Sequence, residues 1–397
     1  MAGLWRRNLS SSKPRRAAVV VGGNLNALGV TRALARANIP VILISRRPDD
    51  IAAWSRHCVV ETVGSYEGEP LIAGLYRARA RAGHDPFLML TDEDAVRTVS
   101  ENRTALLNDF RFDLPDQTAT RALERKIDID AFARREGFAV PYAVAISREA
   151  DMAGLDRIEG PIIVKPSDKT PVRGLPMERT MLTRSRADAI ARCRELVAAG
   201  AGALAQEWID GDDSSLYFCL FYADARGEPF VIFTGRKLVA YPPRVGSTAV
   251  CAPAQGARLA LEPIARRFAR LAGMVGPGGV EFKWDARRKL FVIIEPTVGR
   301  TDWQAEVATL AGVNIPLEGY RHATGEETPR ARRMERQVAW RSSRAHRVAG
   351  LPRGAAIHDG YWRANDPWPA YAYYIHERAK RLSRRLFLTQ DARGATP

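Results

Sequence analysis

Cysteine is scarce in this sequence and widely scattered. The four present, Cys58, Cys193, Cys219 and Cys251, form no C-x-x-C pair. That argues against a disulfide framework or a zinc site and fits a reducing, cytoplasmic setting. The six histidines are equally dispersed, with no H-E-x-x-H among them. Long apolar runs are missing too: the longest, such as Ala17–Val21 and Leu290–Ile294, have the length of a strand, which excludes a transmembrane helix. The basic N-terminus, MAGLWRRNLSSSKPRR, lacks the apolar core of a secretory signal, and 1–16 reads as a disordered tail. No internal repeat or low-complexity segment stands out.

Acidic residues are absent from the first sixteen positions and outnumbered by Lys/Arg, seven to sixteen, in residues 321–397. The net charge is +15, but residues 1–16 account for +5 and residues 321–397 for +9, leaving +1 for everything between. Charge confined to the ends describes solvated tails that touch anionic material nonspecifically, and it disfavours a sequence-reading nucleic-acid surface. At 397 residues and 46% hydrophobic content the chain is ordinary for a globular protein of two or three domains.

The first element reads as a short apolar strand at Ala17–Val21, then the loop GGNLNALG, a helix to Ala37 and a second strand at Val41–Ile44. This β–loop–α–β unit opens a doubly wound parallel sheet. The loop lacks the G-x-G-x-x-G spacing, so it is a poor dinucleotide fingerprint. Further strands are expected at 56–63 and 87–90, with helices at 71–83 and 94–110. From residue 116 the pattern changes to paired strands alternating with helices: a helix at 121–137 and strands at 142–146, 161–165, 181–183, 203–209, 215–223 and 230–234. Helices at 186–199 and 262–272 complete an α+β part that reaches about residue 325.

The stretch Gly278–Arg300, GGVEFKWDARRKLFVIIEPTVGR, reads as a hairpin. Val280, Phe282 and Trp284 point one way and Glu281, Lys283 and Asp285 the other, the pattern of a half-buried strand. Closure over Arg287–Lys289 sets Glu281 opposite Glu295, with Cβ atoms roughly 5 Å apart. Two carboxylates that close repel unless a cation or a shared proton lies between them. Divalent-metal and phosphate chemistry is one reading; an ordinary hairpin with its acids in water is an equal one.

Taken in order, Lys126, Lys165, QEWIDGDD at 206–213, Glu281 and Glu295 form a set whose order and spacing resemble the ATP-grasp superfamily of carboxylate–amine or carboxylate–thiol ligases. The resemblance spans roughly Ala17–Gly325. TDEDAVRTVSENR (91–103) and LPDQTATRALERKIDIDAFARREGFAVP (114–141) are most similar to an uncharacterised predicted group of that superfamily, related to carbamoyl-phosphate synthase and D-aspartate ligase. It implies a Rossmann-like pre-ATP-grasp domain at 17–115, an ATP-grasp domain of two α+β subdomains at 116–325 with a lid at about 140–209, and a basic extension at 326–397 packed on the ligase body. The implied cofactors are ATP and two Mg²⁺, with Mn²⁺ as a substitute. The implied partners are a small carboxylate and an amine, in a cytoplasmic enzyme for which a homodimer is allowed.

The resemblance also distributes roles. Lys126 and Lys165 match the phosphate lysines, Gln206–Ile209 the hinge that receives adenine through Glu207 and the Trp208–Ile209 backbone, and Asp213, with Asp212 as the alternative, the ribose acid. Lys237 is implied to contact the transferred phosphate, and Tyr241–Thr248 to shape the acceptor pocket. Glu281 and Glu295 match the magnesium carboxylates. Most members follow the second with Asn two residues on and Arg four residues on; here Thr297 replaces Asn and Arg300 arrives one residue late. A threonine hydroxyl can ligate Mg²⁺ or hold a ligating water, and Asp302 stands near enough in sequence to compensate. The loop 167–179 occupies the place of the phosphate cover but carries Lys169, Arg173 and Arg179 with only Gly174. Trp340 and DGYWRANDPWPAYAYY at 359–374 are similar to the group's aromatic tail, where Pro367 and Pro369 would make an extended clamp; Arg378–Leu386 reads as a basic helix.

The function so implied is ATP-dependent joining of a carboxylate to an amine through an acyl phosphate. Two other classes stay open: a non-catalytic ATP-binding protein, which Thr297 and the displaced Arg300 favour, and a nicotinamide oxidoreductase, which rests on the N-terminal βαβ unit alone.

Overall fold

Residues 15–167, 181–327, 336–342, 351 and 353–376 are described by the structure, a computed structural model. Four parallel strands come first, β1 (Ala18–Val21), β2 (Val41–Ser45), β3 (Cys58–Thr62) and β4 (Phe87–Leu90), in the order β3-β2-β1-β4. Helices α1 (Leu25–Ala35) and α2 (Glu69–Ala82) connect them, and α3 (Glu93–Glu101) and α4 (Arg103–Leu106) follow. β1 and β2 are apolar and fully buried, as parallel strands covered on both faces must be. The single helix expected over 94–110 is broken at Asn102, whose side-chain amide donates to the Thr98 carbonyl and ends the first run.

The helix expected over 121–137 is likewise two: α5 (Gln117–Glu124) and α6 (Lys126–Arg135). Arg125 between them is extended, and the break frees the Lys126 N–H to donate to the Ser167 carbonyl at 3.2 Å. The kink thereby brings Lys126 to the end of the strand that carries Lys165. A second, antiparallel sheet follows, built of β5 (Ala143–Ile146), β6 (Ile162–Pro166), β7 (Met181–Thr183) and β8 (Ala203–Glu207) in the order β5-β8-β6-β7. Helix α7 (Arg186–Ala198), opened by a Ser185/Asp188 capping box, covers its apolar face.

The central sheet has seven strands in the order β13-β12-β9-β10-β11-β14-β15. They are β9 (Leu216–Ala223), β10 (Pro229–Tyr241), β11 (Ser247–Pro253), β12 (Gly276–Asp285), β13 (Leu290–Val298), β14 (Val338–Arg341) and β15 (Ala356–Asp359). Helices α8 (Arg258–Leu271), α9 (Glu306–Ala311) and α10 (Ile315–Thr324) lie on it. β10 is far longer than the strand expected at 230–234, and Tyr241–Thr248 is the bend of the β10–β11 hairpin. The extended clamp expected at Pro367 and Pro369 is instead the start of a helix over 368–376. Proline is tolerated in a first helical turn, where its missing N–H leaves no hydrogen bond unmade.

One apolar cluster joins the first sheet to the central one: Val20 and Leu28 pack with Phe218, Tyr222, Tyr320 and Trp340. A buried ionic knot sits beside it. Arg32 Nε donates to Asp366 Oδ2 at 2.8 Å, and Ser55 and the Arg56 N–H donate to the same carboxylate, which is 0% exposed. The chain's first helix and its C-terminal part are thus fastened together. On the opposite face of the central sheet Phe268 and Leu261 of α8 pack with Phe138 and Leu123.

Candidate active site

Strands β12 and β13 place Glu281 directly opposite Glu295. The route differs from the expected three-residue turn. Asp285 pairs with Leu290, so the loop has four residues, and in that register Glu281 would face Ile294. A β-bulge between Glu281 and Phe282 takes up one residue on β13 and restores the glutamate pair. Asp285 secures the turn by accepting from the Arg287 and Arg288 N–H groups. Lys283 and Asp285 are buried rather than solvated, so β12 is covered on both faces.

Cations surround the pair. Lys237 Nζ lies 2.5 Å from Glu281 Oε1, with side-chain exposures of only 6% and 21%. Burial pulls the Lys237 ammonium down, but Glu281, Asp302 and Glu295 together outweigh it and hold it above its ordinary value. Burial likewise pushes Glu281 up, aided by Asp302 and Glu295 and opposed by Lys237. Lys165, at the end of β6, donates to Gln206 Oε1 at 3.0 Å, and burial lowers it against the pull of Glu295. Lys126, Lys165, Gln206, Ile293 and Glu295 line one cleft. Thr297 lies two residues beyond Glu295, opposite Gly279.

Arg300 is anchored from the N-terminal sheet. Its Nη2 donates to Glu93 Oε1 at 2.6 Å, its Nη1 donates to the Thr301 carbonyl, and Asp302 lies 3.7 Å away. Thr301 exchanges two hydrogen bonds with the Asn26 side chain, at 2.6 and 2.7 Å. Asn26, from the stretch GGNLNALG, lies in the first turn of α1 and Glu93, from TDED, opens α3, so the first turns of both helices hold the segment that carries Arg300. Gly299 makes the turn just before it, at φ +67°, where a Cβ would also stand 2.4 Å from Leu114 Cδ1.

The hinge residues are more committed than the sequence suggests. The Glu207 carboxylate accepts from the Tyr142 N–H and from Arg288, both at 2.8 Å, tying the second sheet to the turn of the β12–β13 hairpin. The Trp208 N–H donates to Pro161, and Ile209 is buried. Both Asp213 oxygens accept backbone N–H groups, of Ala240 and Arg244, and so brace the β10–β11 bend. Lys283 Nζ sits 3.9 Å over the Trp208 ring, and burial with the nearby Arg244 lowers it to about 8. Arg236 is occupied by the Ser214 carbonyl and hydroxyl. Lys169, Arg173, Gly174 and Arg179 lie outside the described residues, as does the segment Arg378–Leu386.

Asn26, Glu93, Lys283 and Arg288 escaped the sequence reading. Alternation along β12 put Lys283 beside Glu281 on one face, which was the available signal for it. Nothing local announces the other three, whose partners lie far away in sequence. Among the described residues no three Asp, Glu, His or Cys side chains form a metal cage. Two facing carboxylates do suit a small hard cation that keeps waters and phosphate oxygens in its shell.

No protein-family model and no curated protein matches the sequence. Solved structures do match by fold. The N5-carboxyaminoimidazole synthetase of Staphylococcus aureus complexed with ADP is 12% identical, with a TM-score of 0.59, over 81% of this chain and 80% of that one. The L-amino acid ligase of Bacillus licheniformis is 15% identical, at TM-score 0.59, over 81% and 78%. The fold is that of the ATP-grasp enzymes. Pyruvate carboxylase of Rhizobium etli, 18% identical at TM-score 0.59, is matched over 81% of this chain but only 29% of its own length. No helix among the described residues is long and apolar enough to cross a membrane.

Proposed function

We propose that the chain is an ATP-dependent ligase that joins a small carboxylate to an amine. What carries this reading is the Glu281–Glu295 pair with Lys237 against it and Lys126 and Lys165 lining the adjoining cleft. The ATP-grasp fold supports it. In this reading the substrate carboxylate attacks the γ-phosphorus of ATP, the bond to the ADP oxygen breaks, and an acyl phosphate forms. The amine then attacks the acyl carbon, phosphate leaves, and the nitrogen gives up a proton.

The residues would act by position and charge. Lys126 and Lys165 meet the phosphate chain as ammonium point charges, and an anion beside Lys165 would oppose the burial that lowers its pKa. Lys237 and Arg300 face the transferred phosphoryl group; the Arg300 fork is held by Glu93 and so loses little freedom on binding. Glu281, Glu295 and the Thr297 hydroxyl would hold Mg²⁺, which supplies charge neutralisation at the phosphate oxygens. The hinge at Gln206–Ile209 and Asp213 would receive the nucleoside.

An ADP-release screen of amino acids, polyamines and uronic acids with MgATP tests this. The expected result is turnover that requires both a carboxylate and an amine and that falls at least about 100-fold in Glu295→Ala and in Lys165→Ala. Turnover like that of the native chain in both variants would sink the proposal.

A further inference from the structure

The helix over 368–376 has two unlike faces. Ala370, Tyr373 and Tyr374 turn inward. Ala370 is buried, Tyr373 stacks on Tyr361 with 3.7 Å between ring centroids, and the Tyr374 hydroxyl donates to Asp359 at 2.7 Å. Trp368, Tyr371 and Ile375 turn outward, 52%, 64% and 51% exposed. Their spacing of three and then four residues makes a single stripe. A surface helix ordinarily carries charged or small polar groups there. Here the outward face has two aromatic rings in edge contact, 6.2 Å between centroids, and an isoleucine. Trp362, in the segment leading to the helix, is exposed as well.

The sequence that follows is strongly basic: residues 377–388 hold five Lys/Arg and one acid. It also keeps the stripe's spacing, with Ala379, Leu382 and Leu386 at the next steps of three and four. Tryptophan and tyrosine pair an apolar body with a polar tip and suit the boundary between lipid chains and headgroups. An aromatic stripe beside a block of cations is the pattern of a segment that lies along an anionic membrane. Charge also selects among occupants. A second copy would bring its own basic tail to the same face, whereas an anionic bilayer is complementary to it.

We propose that the outward face of helix 368–376, with the basic sequence after it, docks the protein on an anionic phospholipid surface. The inference is independent of the ligase reading. The test floats the full-length protein with vesicles of phosphatidylcholine alone and of phosphatidylcholine with phosphatidylglycerol. Binding is expected only to the second, weakening as salt rises, since each cation near the surface contributes about fivefold to partition. The Trp368→Ser/Tyr371→Ser variant should lower partition at least about tenfold with its unfolding midpoint nearly unchanged. Arg378→Gln/Lys380→Gln/Arg381→Gln, which alters none of the residues of helix 368–376, should also lower it and serves if the first variant does not fold. Failure to bind phosphatidylglycerol vesicles at low salt would overturn the proposal, as would undiminished binding by the variants. A lipid-free dimer that the serine variant dissolves would assign the face to a second copy instead.

Discussion

Replacing Lys237 with methionine keeps most of the side chain's volume and removes the ammonium that lies 2.5 Å from Glu281. Both groups are largely buried, and Asp302 and Glu295 already act on Glu281. The variant therefore leaves a buried carboxylate uncompensated, which costs about 3–5 kcal/mol when one partner of a buried pair is removed. Two features should separate this from a generic packing defect. Glu281 already binds protons more readily than its ordinary value of 4.5, and without Lys237 the shift grows. Folded Glu281 then holds a proton that the unfolded chain has released, so the variant should regain stability as pH falls from neutrality toward 4.5. Mg²⁺ should stabilise the variant more than the native chain, because the cation would take over the charge that lysine supplied. Urea unfolding across pH, with and without Mg²⁺, measures both. A loss of stability equal at every pH and unchanged by Mg²⁺ would refute the assignment of Lys237 as the counter-charge of the carboxylate pair. The double variant with Glu281→Gln should recover most of the loss, as a coupled pair requires.

Gly299→Ala should cost about 1–3 kcal/mol by thermal unfolding and weaken any ATP turnover, because φ +67° strains alanine and Leu114 leaves no room for its Cβ. Unchanged stability would contradict that geometry. Lys283→Met should be more stable than the native chain near neutral pH, offset in part by the lost contact with Trp208. Between about 8 and 10.5 the unfolded chain holds a proton that folded Lys283 has lost, so native stability rises with pH there. The advantage of the variant should accordingly shrink by about 3 kcal/mol across that window; a constant difference would count against the lowered pKa. Asp366→Ala should cost about 3–5 kcal/mol by removing the acceptor of buried Arg32, of Ser55 and of the Arg56 N–H, with only Glu306, at 3.8 Å, left as a counter-charge for Arg32. Proteolysis should then release the C-terminal part from the N-terminal sheet earlier than in the native chain.

Much of this architecture was legible because it rests on local periodicity. The apolar runs at Ala18–Val21 and Val41–Ser45 are strands buried on both faces, and no other role suits them. Alternation in β12 likewise marks which side chains share a face with Glu281. What stayed hidden depends on partners distant in sequence. Asn102 and Arg125 interrupt helices whose composition runs on past them, so those breaks look like continuous periodicity. Asp213 reads as a ligand acid, and nothing local shows that its oxygens also accept backbone N–H groups some thirty positions away. The long β10 was underestimated because Arg236 and Lys237 interrupt its apolar pattern; one caps Ser214 and the other answers a buried glutamate.

The bulge on β13 makes the hairpin an exercise in parity. A strand alternates faces with every residue, so the site depends on whether the count between the two glutamates comes out odd or even, and hardly on how long it is. The four-residue loop and the bulge each shift that count by one, and together they cancel. Losing the bulge alone would set Ile294 opposite Glu281 in place of Glu295. Losing the bulge together with one residue, Ile294 itself, would return the carboxylate to its place. A one-residue deletion in β13 should therefore be tolerated where it takes the place of the bulge, a rule that single-site substitution would never reveal.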